Sequence, residues 1–127
     1  MQYLALLYSA EEARPTPASS NFQETLQAYA TANRTFQESG VWAGAEPLQP
    51  VATAKCLRIR NGERLVTDGP FAETKERLGG FYLLNCKDLD HAIELAKMIP
   101  AVEYGTIELR PILEIPDTGS LRDGQRP

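Results

Sequence analysis

The sequence predicts a single α+β domain in which two helices cover one face of an antiparallel sheet. Three observations predict it: short strand-like apolar segments, two segments with apolar residues at helical spacing, and an Asn-Gly pair between two strand-like runs. In chain order they give the ferredoxin-like βαββαβ arrangement with an added hairpin strand. The 127-residue length fits one domain. We place it at residues 1–113 and expect residues 114–127 to form a flexible tail.

The first half of the chain reads as strand, helix, strand. Residues 1–9 are short and apolar, and a polar stretch with two prolines follows them. Ser20 and Gln23 match a capping box that opens a helix, and Gly40 supplies the left-handed residue that ends it. Residues 41–48 form a short strand. One face of the helix carries side chains at helical spacing: Phe22, Leu26, Tyr29, Asn33 and Phe36.

A tight hairpin is predicted at Asn61-Gly62, because both residues tolerate the positive φ angles of a type I′ turn. The turn joins residues 54–60 to residues 63–67, which are both strand-like. A charged loop, residues 68–78, follows the hairpin.

The second half again reads as strand, helix, strand. Residues 79–86 form a strand, and Asp88 caps a helix that Pro100 ends. Residues 106–112 form the last strand. The apolar positions of this helix are Leu89, Ala92, Ile93, Ala96 and Ile99.

The first strand and the strand at 79–86 are apolar on both faces, because alternate side chains point to opposite sides of a sheet. Two helices can cover only one face, so we expect a second copy of the chain to cover the other. The alternative is a monomer with a partly wet apolar face. The sets that share a face are Tyr3, Ala5 and Leu7 against Leu4, Leu6 and Tyr8, and Phe81 and Leu83 against Tyr82 and Leu84.

Composition excludes several classes of function. The net charge of −4, from 13 basic and 17 acidic residues, disfavours a nucleic-acid partner. No apolar run approaches the length of a membrane span, and no signal peptide is recognisable, so we expect a cytoplasmic protein. Phosphate-loop, GxSxG and HExxH motifs are missing, and we expect no cofactor and no metal. Cys56 and Cys86 are interpreted as core residues, and the alternative is a disulfide or a metal-binding pair.

The most unusual segment runs DGPFAETKE from Asp68 to Glu76. Asp-Gly-Pro makes a rigid turn, and Phe71 is expected to anchor the loop in apolar surroundings. Together with the upstream GAEPLQP and TAKCLRIRNG and the closing YGTIELRPI, this segment resembles the DGPF branch of the YCII-related family over residues 1 to about 113. The resemblance implies a ferredoxin-like fold that pairs into a dimeric α/β barrel, a bacterial origin, and an association with sigma factors of the extracytoplasmic-function class.

Some relatives in the wider superfamily are expected to act on small aromatic or lactone compounds with a histidine–aspartate pair. Here His91 is the one histidine, and it lies in the first turn of the second helix, which predicts a solvated helix-start residue. The region where relatives keep their histidine holds Tyr29 or its neighbours. Histidine-based proton transfer is therefore not carried over to this chain.

Several polar residues remain as candidates for a site. Asp68 is the candidate catalytic acid or base, and its alternative role is to cap its own turn. Asn33 is either a satisfied buried amide or a pocket residue. The polar face of the last strand either lines a pocket between subunits or faces water on an edge strand. The ligand-binding candidates are Glu46, Phe71, Glu73, Lys75 and Arg110, of which Glu46 and the charged loop have solvated alternatives.

Two functions follow. The first is a homodimer that binds a small organic molecule in an inter-subunit pocket edged by Asp68, Glu46 and Arg110, with lyase- or isomerase-like acid/base chemistry. The alternative is a non-catalytic regulatory or interaction module whose partner is of the sigma-factor type. Whether the protein is an enzyme is left open by the sequence.

Overall fold

A computed structural model describes residues 1–115 of the chain. It contains a four-stranded antiparallel sheet, a separate two-stranded hairpin, three α-helices and two short 3₁₀ helices. The predicted tail lies outside the described residues, apart from Glu114 and Ile115. The elements are β1 (Gln2–Ser9), α1 (Phe22–Glu38), β2 (Trp42–Pro47), β3 (Lys55–Arg60), β4 (Glu63–Asp68), β5 (Arg77–Asn85), α2 (Leu89–Ala96), α3 (Ala101–Tyr104) and β6 (Thr106–Pro111).

The main sheet has the strand order β2-β5-β1-β6, with every neighbouring pair antiparallel. This order, with α1 following β1 and α2 following β5, confirms the predicted ferredoxin-like fold. The added segment differs in detail from the prediction. Within residues 1–115, β3 and β4 pair only with each other, so they form a sheet of their own instead of one extra strand.

The two faces of the main sheet differ as the alternation of side chains predicts. One face packs against the helices and forms the core, in which Leu84, Phe36 and Ile99 are fully buried. The opposite face, called here the outer face, carries a central apolar stripe: Leu4 pairs with Leu83 and Leu6 with Phe81, and all four are half-buried. β6 is an edge strand and places Thr106, Glu108 and Arg110 on this outer face.

Helix α1 ends as predicted but begins differently. Gly40 has a φ of 78°, and the amides of Gly40 and Val41 bond back to the carbonyls of Gln37 and Phe36 at 3.3 and 3.1 Å. These two bonds satisfy carbonyls that the helix end would leave unpaired. The capping box predicted at Ser20 and Gln23 is wrong: the N-cap residue is Asn21, whose side chain makes no capping bond within residues 1–115.

The start of α2 confirms the cap predicted at Asp88 and places His91 in the first turn as predicted, but His91 is half-buried and not solvated. The Asp88 carboxylate accepts a bond from the His91 amide at 2.8 Å, and His91 Nδ1 accepts one from the Lys87 amide at 3.0 Å. Both side chains therefore satisfy amides at the helix start.

The end of this helical region corrects the prediction. α2 stops at Ala96, and Pro100 precedes α3 instead of ending α2, because its φ of −55° suits the start of a helix and its missing N–H needs no partner there. Of the apolar positions at helical spacing, Ala92, Ala96 and Ile99 are buried, whereas Leu89 and Ile93 are exposed.

The β3–β4 hairpin turns at Asn61 and Gly62, whose φ angles of 52° and 77° confirm the predicted type I′ turn. One face of the hairpin carries solvent-exposed aliphatic side chains: Leu57 and Ile59 are each 64% exposed and Val66 is 50% exposed.

The two cysteines differ in burial. Cys86 is buried in the main core as predicted, whereas Cys56 is half-buried in β3.

No helix in the described part of the chain is both long and apolar enough to cross a membrane.

Candidate functional site

A cavity of about 370 Å³ lies between the helices and one end of the main sheet. It forms because the large side chains in the first half of α1 face small residues of β2 and β5, namely Ala45, Gly79 and Gly80. Farther along α1, Phe36 packs tightly against the sheet, so the same helical stripe is core at one end and cavity wall at the other. The apolar walls are Leu7, Phe22, Leu26, Trp42, Ala45 and Ala101. A cleft of this size suits a small organic molecule.

Two hydrogen-bonded pairs of side chains line the cavity. The hydroxyl oxygens of Tyr29 and Tyr104 are 2.7 Å apart, and the Tyr82 hydroxyl donates to Asn33 Oδ1 at 2.5 Å. Both alternatives for Asn33 hold in part, since its carbonyl oxygen accepts a hydrogen bond and the residue also lines the cavity.

Tyr29 and Tyr82 are held in their neutral form. Burial raises the pKa of Tyr29 well above its usual range, and its bond to Tyr104 raises it further. Burial also raises the pKa of Tyr82 to about 12. Near neutral pH both hydroxyls keep their protons, so they serve as hydrogen-bond donors and not as bases.

Arg14 provides a positive charge beside the cavity. It follows a single helical turn at Glu11–Ala13, and its guanidinium lies against Gly79, where an added Cβ would be 3.2 Å from Nη1. Nη2 donates to the Leu48 carbonyl at 3.4 Å, and no carboxylate within residues 1–115 forms an ion pair with Arg14. Its charge acts on the Tyr29 hydroxyl, opposing the rise of that pKa.

Of the residues predicted to form a site, Glu46 lines this cavity. Asp68 is exposed at the base of the hairpin and forms an ion pair with Lys55. Arg110 forms an ion pair with Glu108 on the outer face. The single chain therefore does not bring Asp68 and Arg110 to the cavity, and the pocket predicted between two subunits stays a prediction.

The loop at residues 69–76 is largely exposed, including Glu73 and Lys75. Phe71 does not anchor it in apolar surroundings, because the ring is 78% exposed and lies under the Arg58 guanidinium at 5.1 Å. A smaller concavity of about 140 Å³ lies between this ring and the hairpin, beside Cys56 and Leu65. The structure explains the turn itself through Gly69, whose φ is 92° and whose amide bonds to the Ala54 carbonyl at 2.8 Å.

Arg14, Tyr82 and Tyr104 were not predicted from the sequence to line a cavity. Tyr29 and Asn33 could have been predicted to line a cavity, because they are the polar members of an otherwise apolar helical stripe. Arg14 could not have been predicted in this way, since it is one charged residue in a polar segment. Within residues 1–115, no group of three or more His, Cys, Asp or Glu side chains could hold a metal ion.

Fold and site together define a ferredoxin-like domain with an aromatic cavity between its first helix and its sheet. The family model of the YCII-related domain matches residues 1–116 of the sequence, and the chain belongs to that family. It is 34% identical over 114 residues to the uncharacterised protein R00369 of Rhizobium meliloti (strain 1021), in an alignment that covers 88% of this chain and 92% of that protein.

Proposed function

We propose that this YCII-related chain is a cytoplasmic homodimer that binds a small organic molecule in the cavity between α1 and the main sheet. The cavity itself carries the proposal, because it combines apolar walls with a few converging polar groups, which is the usual makeup of a small-molecule site. Placement in the DGPF branch rests on residues 68–76 and stays a prediction.

Acid/base chemistry at this site would require a base, and the neutral tyrosines are unsuited to that role. Among the described residues that line the cavity, Glu46 is the one that carries a carboxylate. It pairs with Phe81 across the strands, which places its side chain on the outer face beside the cavity rim. That side chain points away from the cavity, so a lyase- or isomerase-like reaction would instead use a pocket formed between subunits, for which Asp68 and Glu46 stay the candidate residues.

The binding proposal is tested by a thermal-shift screen of small carboxylic acids, phenols and lactones. A ligand at 100 times its Kd stabilises a protein by about 2.7 kcal/mol, which raises the Tm of a domain this size by several degrees. We expect Ala45→Leu, which narrows the cavity at its wall, to abolish the shift, and Asp68→Asn to keep it.

The opposite pattern would move the ligand from the cavity to the hairpin base. A screen without hits would overturn the binding proposal and favour an interaction module.

One observation supports this second function, a non-catalytic interaction module: the hairpin exposes Leu57, Ile59 and Val66 on one face. Its sigma-factor-type partner rests on the family resemblance alone.

The homodimer is proposed to form through the outer face, where the apolar stripe lacks a covering helix in the described chain. We expect the double variant Leu6→Lys/Leu83→Lys to be monomeric, because two charges on each subunit would be buried without partners. Light scattering at micromolar concentration should give twice the mass of one chain for the wild type and once for the variant. Leu89→Lys, at an exposed position of α2, is the control and should remain dimeric. A monomeric wild type would contradict the proposal.

A further inference from the structure

The cavity presents more hydrogen-bond donors than its own acceptors use. The hydroxyls of Tyr29 and Tyr104 bond to each other, and this bond uses one of their two hydrogens. The other hydrogen is left for a bound molecule or water. Tyr82 occupies the carbonyl oxygen of Asn33, and the NH₂ group of Asn33 has no hydrogen-bond partner within residues 1–115. A molecule in the cavity therefore meets spare donors and benefits from carrying acceptors.

Arg14 adds a positive charge to this set of donors. A guanidinium has five N–H donors in a planar fork that matches a carboxylate, and the described structure gives Arg14 one long bond, to the Leu48 carbonyl. The Glu46 side chain does not neutralise it, since Glu46 lies on the outer face and forms no ion pair with Arg14 in the described chain. Arg14 is half-buried, so its charge is less screened than that of a fully exposed side chain.

We infer that the cavity takes a small organic anion, with its carboxylate at Arg14 and a ring-sized apolar body against Phe22, Leu26 and Trp42. The spare hydroxyl hydrogen of the Tyr29–Tyr104 pair donates to an acceptor elsewhere on the same molecule. This inference rests on the proposed function, because it names the ligand class of the same cavity.

The test compares charged and neutral probes of one shape. Benzoate and benzamide, and 4-hydroxybenzoate and 4-hydroxybenzamide, are titrated calorimetrically into the full chain at pH 7. We expect each anion to bind at least about tenfold more tightly than its amide, which is the range of one charge-assisted hydrogen-bonded pair. Arg14→Gln should remove that difference by weakening the anions alone. Arg14→Lys should retain part of it, since it keeps the charge and loses the fork.

Two controls keep the result interpretable. Arg34→Gln removes a charge from an exposed position of α1 and should leave all four affinities unchanged. If Arg14→Gln does not fold, as judged by circular dichroism, a salt titration of the wild type replaces it. Raising the salt concentration should then weaken the anions and leave the amides unchanged.

The outcomes separate this inference from the proposed function. Equal affinity for anions and amides, with no effect of Arg14→Gln or of salt, would overturn the anion assignment and leave the cavity as a small-molecule site. Binding of no probe at all would overturn the anion assignment, and the binding proposal would then fall if the wider ligand screen also gave no hits.

Discussion

Phe36→Ala is expected to lower the free energy of unfolding by about 3–5 kcal/mol, the usual cost of removing a buried aromatic side chain. Phe36 is fully buried between α1 and the main sheet, with its ring edge-on to Tyr82 at 5.6 Å. Alanine would leave an unfilled space at the point where α1 is held to β5. The corresponding fall in Tm is roughly 10–20 °C for a domain of this size.

Phe71→Ala is the matched control, since it makes the same chemical change at a ring that is 78% exposed. It removes the contact with Arg58 and should cost less than about 1 kcal/mol. Urea unfolding followed by circular dichroism measures both variants. If Phe36→Ala cost no more than Phe71→Ala, the packing of α1 on the sheet would not be as described.

Gly105→Ala is expected to cost about 3 kcal/mol, at the upper end of the usual range for overpacking. An added Cβ at this position would overlap the carbonyl oxygen of Tyr8 and lie 2.8 Å from the Ser9 Cβ. The φ of Gly105 is −152°, which any residue adopts, so the cost is steric and not conformational. Because the nearest neighbour is backbone, it cannot be relieved by a change of rotamer; either β1 or the start of β6 would have to shift.

Gly44→Ala provides the comparison, because an added Cβ there has nothing within 4 Å. Its effect should stay within about 0.5 kcal/mol, because the added methyl group would contact no neighbour. The midpoint of urea unfolding should fall for Gly105→Ala with an unchanged slope. Equal midpoints for the two variants would contradict the close approach of Gly105 to β1.

The elements that the sequence predicted well are those encoded by neighbouring residues. The positive φ angles at Asn61 and Gly62, the left-handed Gly40 and the cap at Asp88 each depend on a few adjacent positions. Alternation along β1 and β5 likewise assigned the faces of the sheet, because the period of a strand needs no tertiary information.

The cavity could not be predicted in the same way. Arg14, Tyr29, Tyr82 and Tyr104 come from four separate segments, and no spacing in the sequence links them. Asp68 was predicted as a catalytic candidate because the Asp-Gly-Pro turn is unusual. In the single chain this turn is explained by the positive φ of Gly69. The unusual local sequence is therefore explained by the backbone angle that the turn requires. The cavity depends instead on small residues of β2 and β5 that lie opposite α1, and these are far apart in the sequence.

The separate pairing of β3 and β4 divides the domain into two levels of local stability. The hydrogen bonds between these strands join only the two strands within the described chain, so opening the hairpin leaves every ladder of the main sheet intact. A two-stranded ribbon is marginal in water, and segments with exposed backbone bonds open at a fraction of the global unfolding free energy. Amide hydrogens of the hairpin therefore exchange with solvent through local opening, whereas those of β1 and β5 exchange only through global unfolding. An insertion or deletion at Asn61-Gly62 would for the same reason leave the core undisturbed.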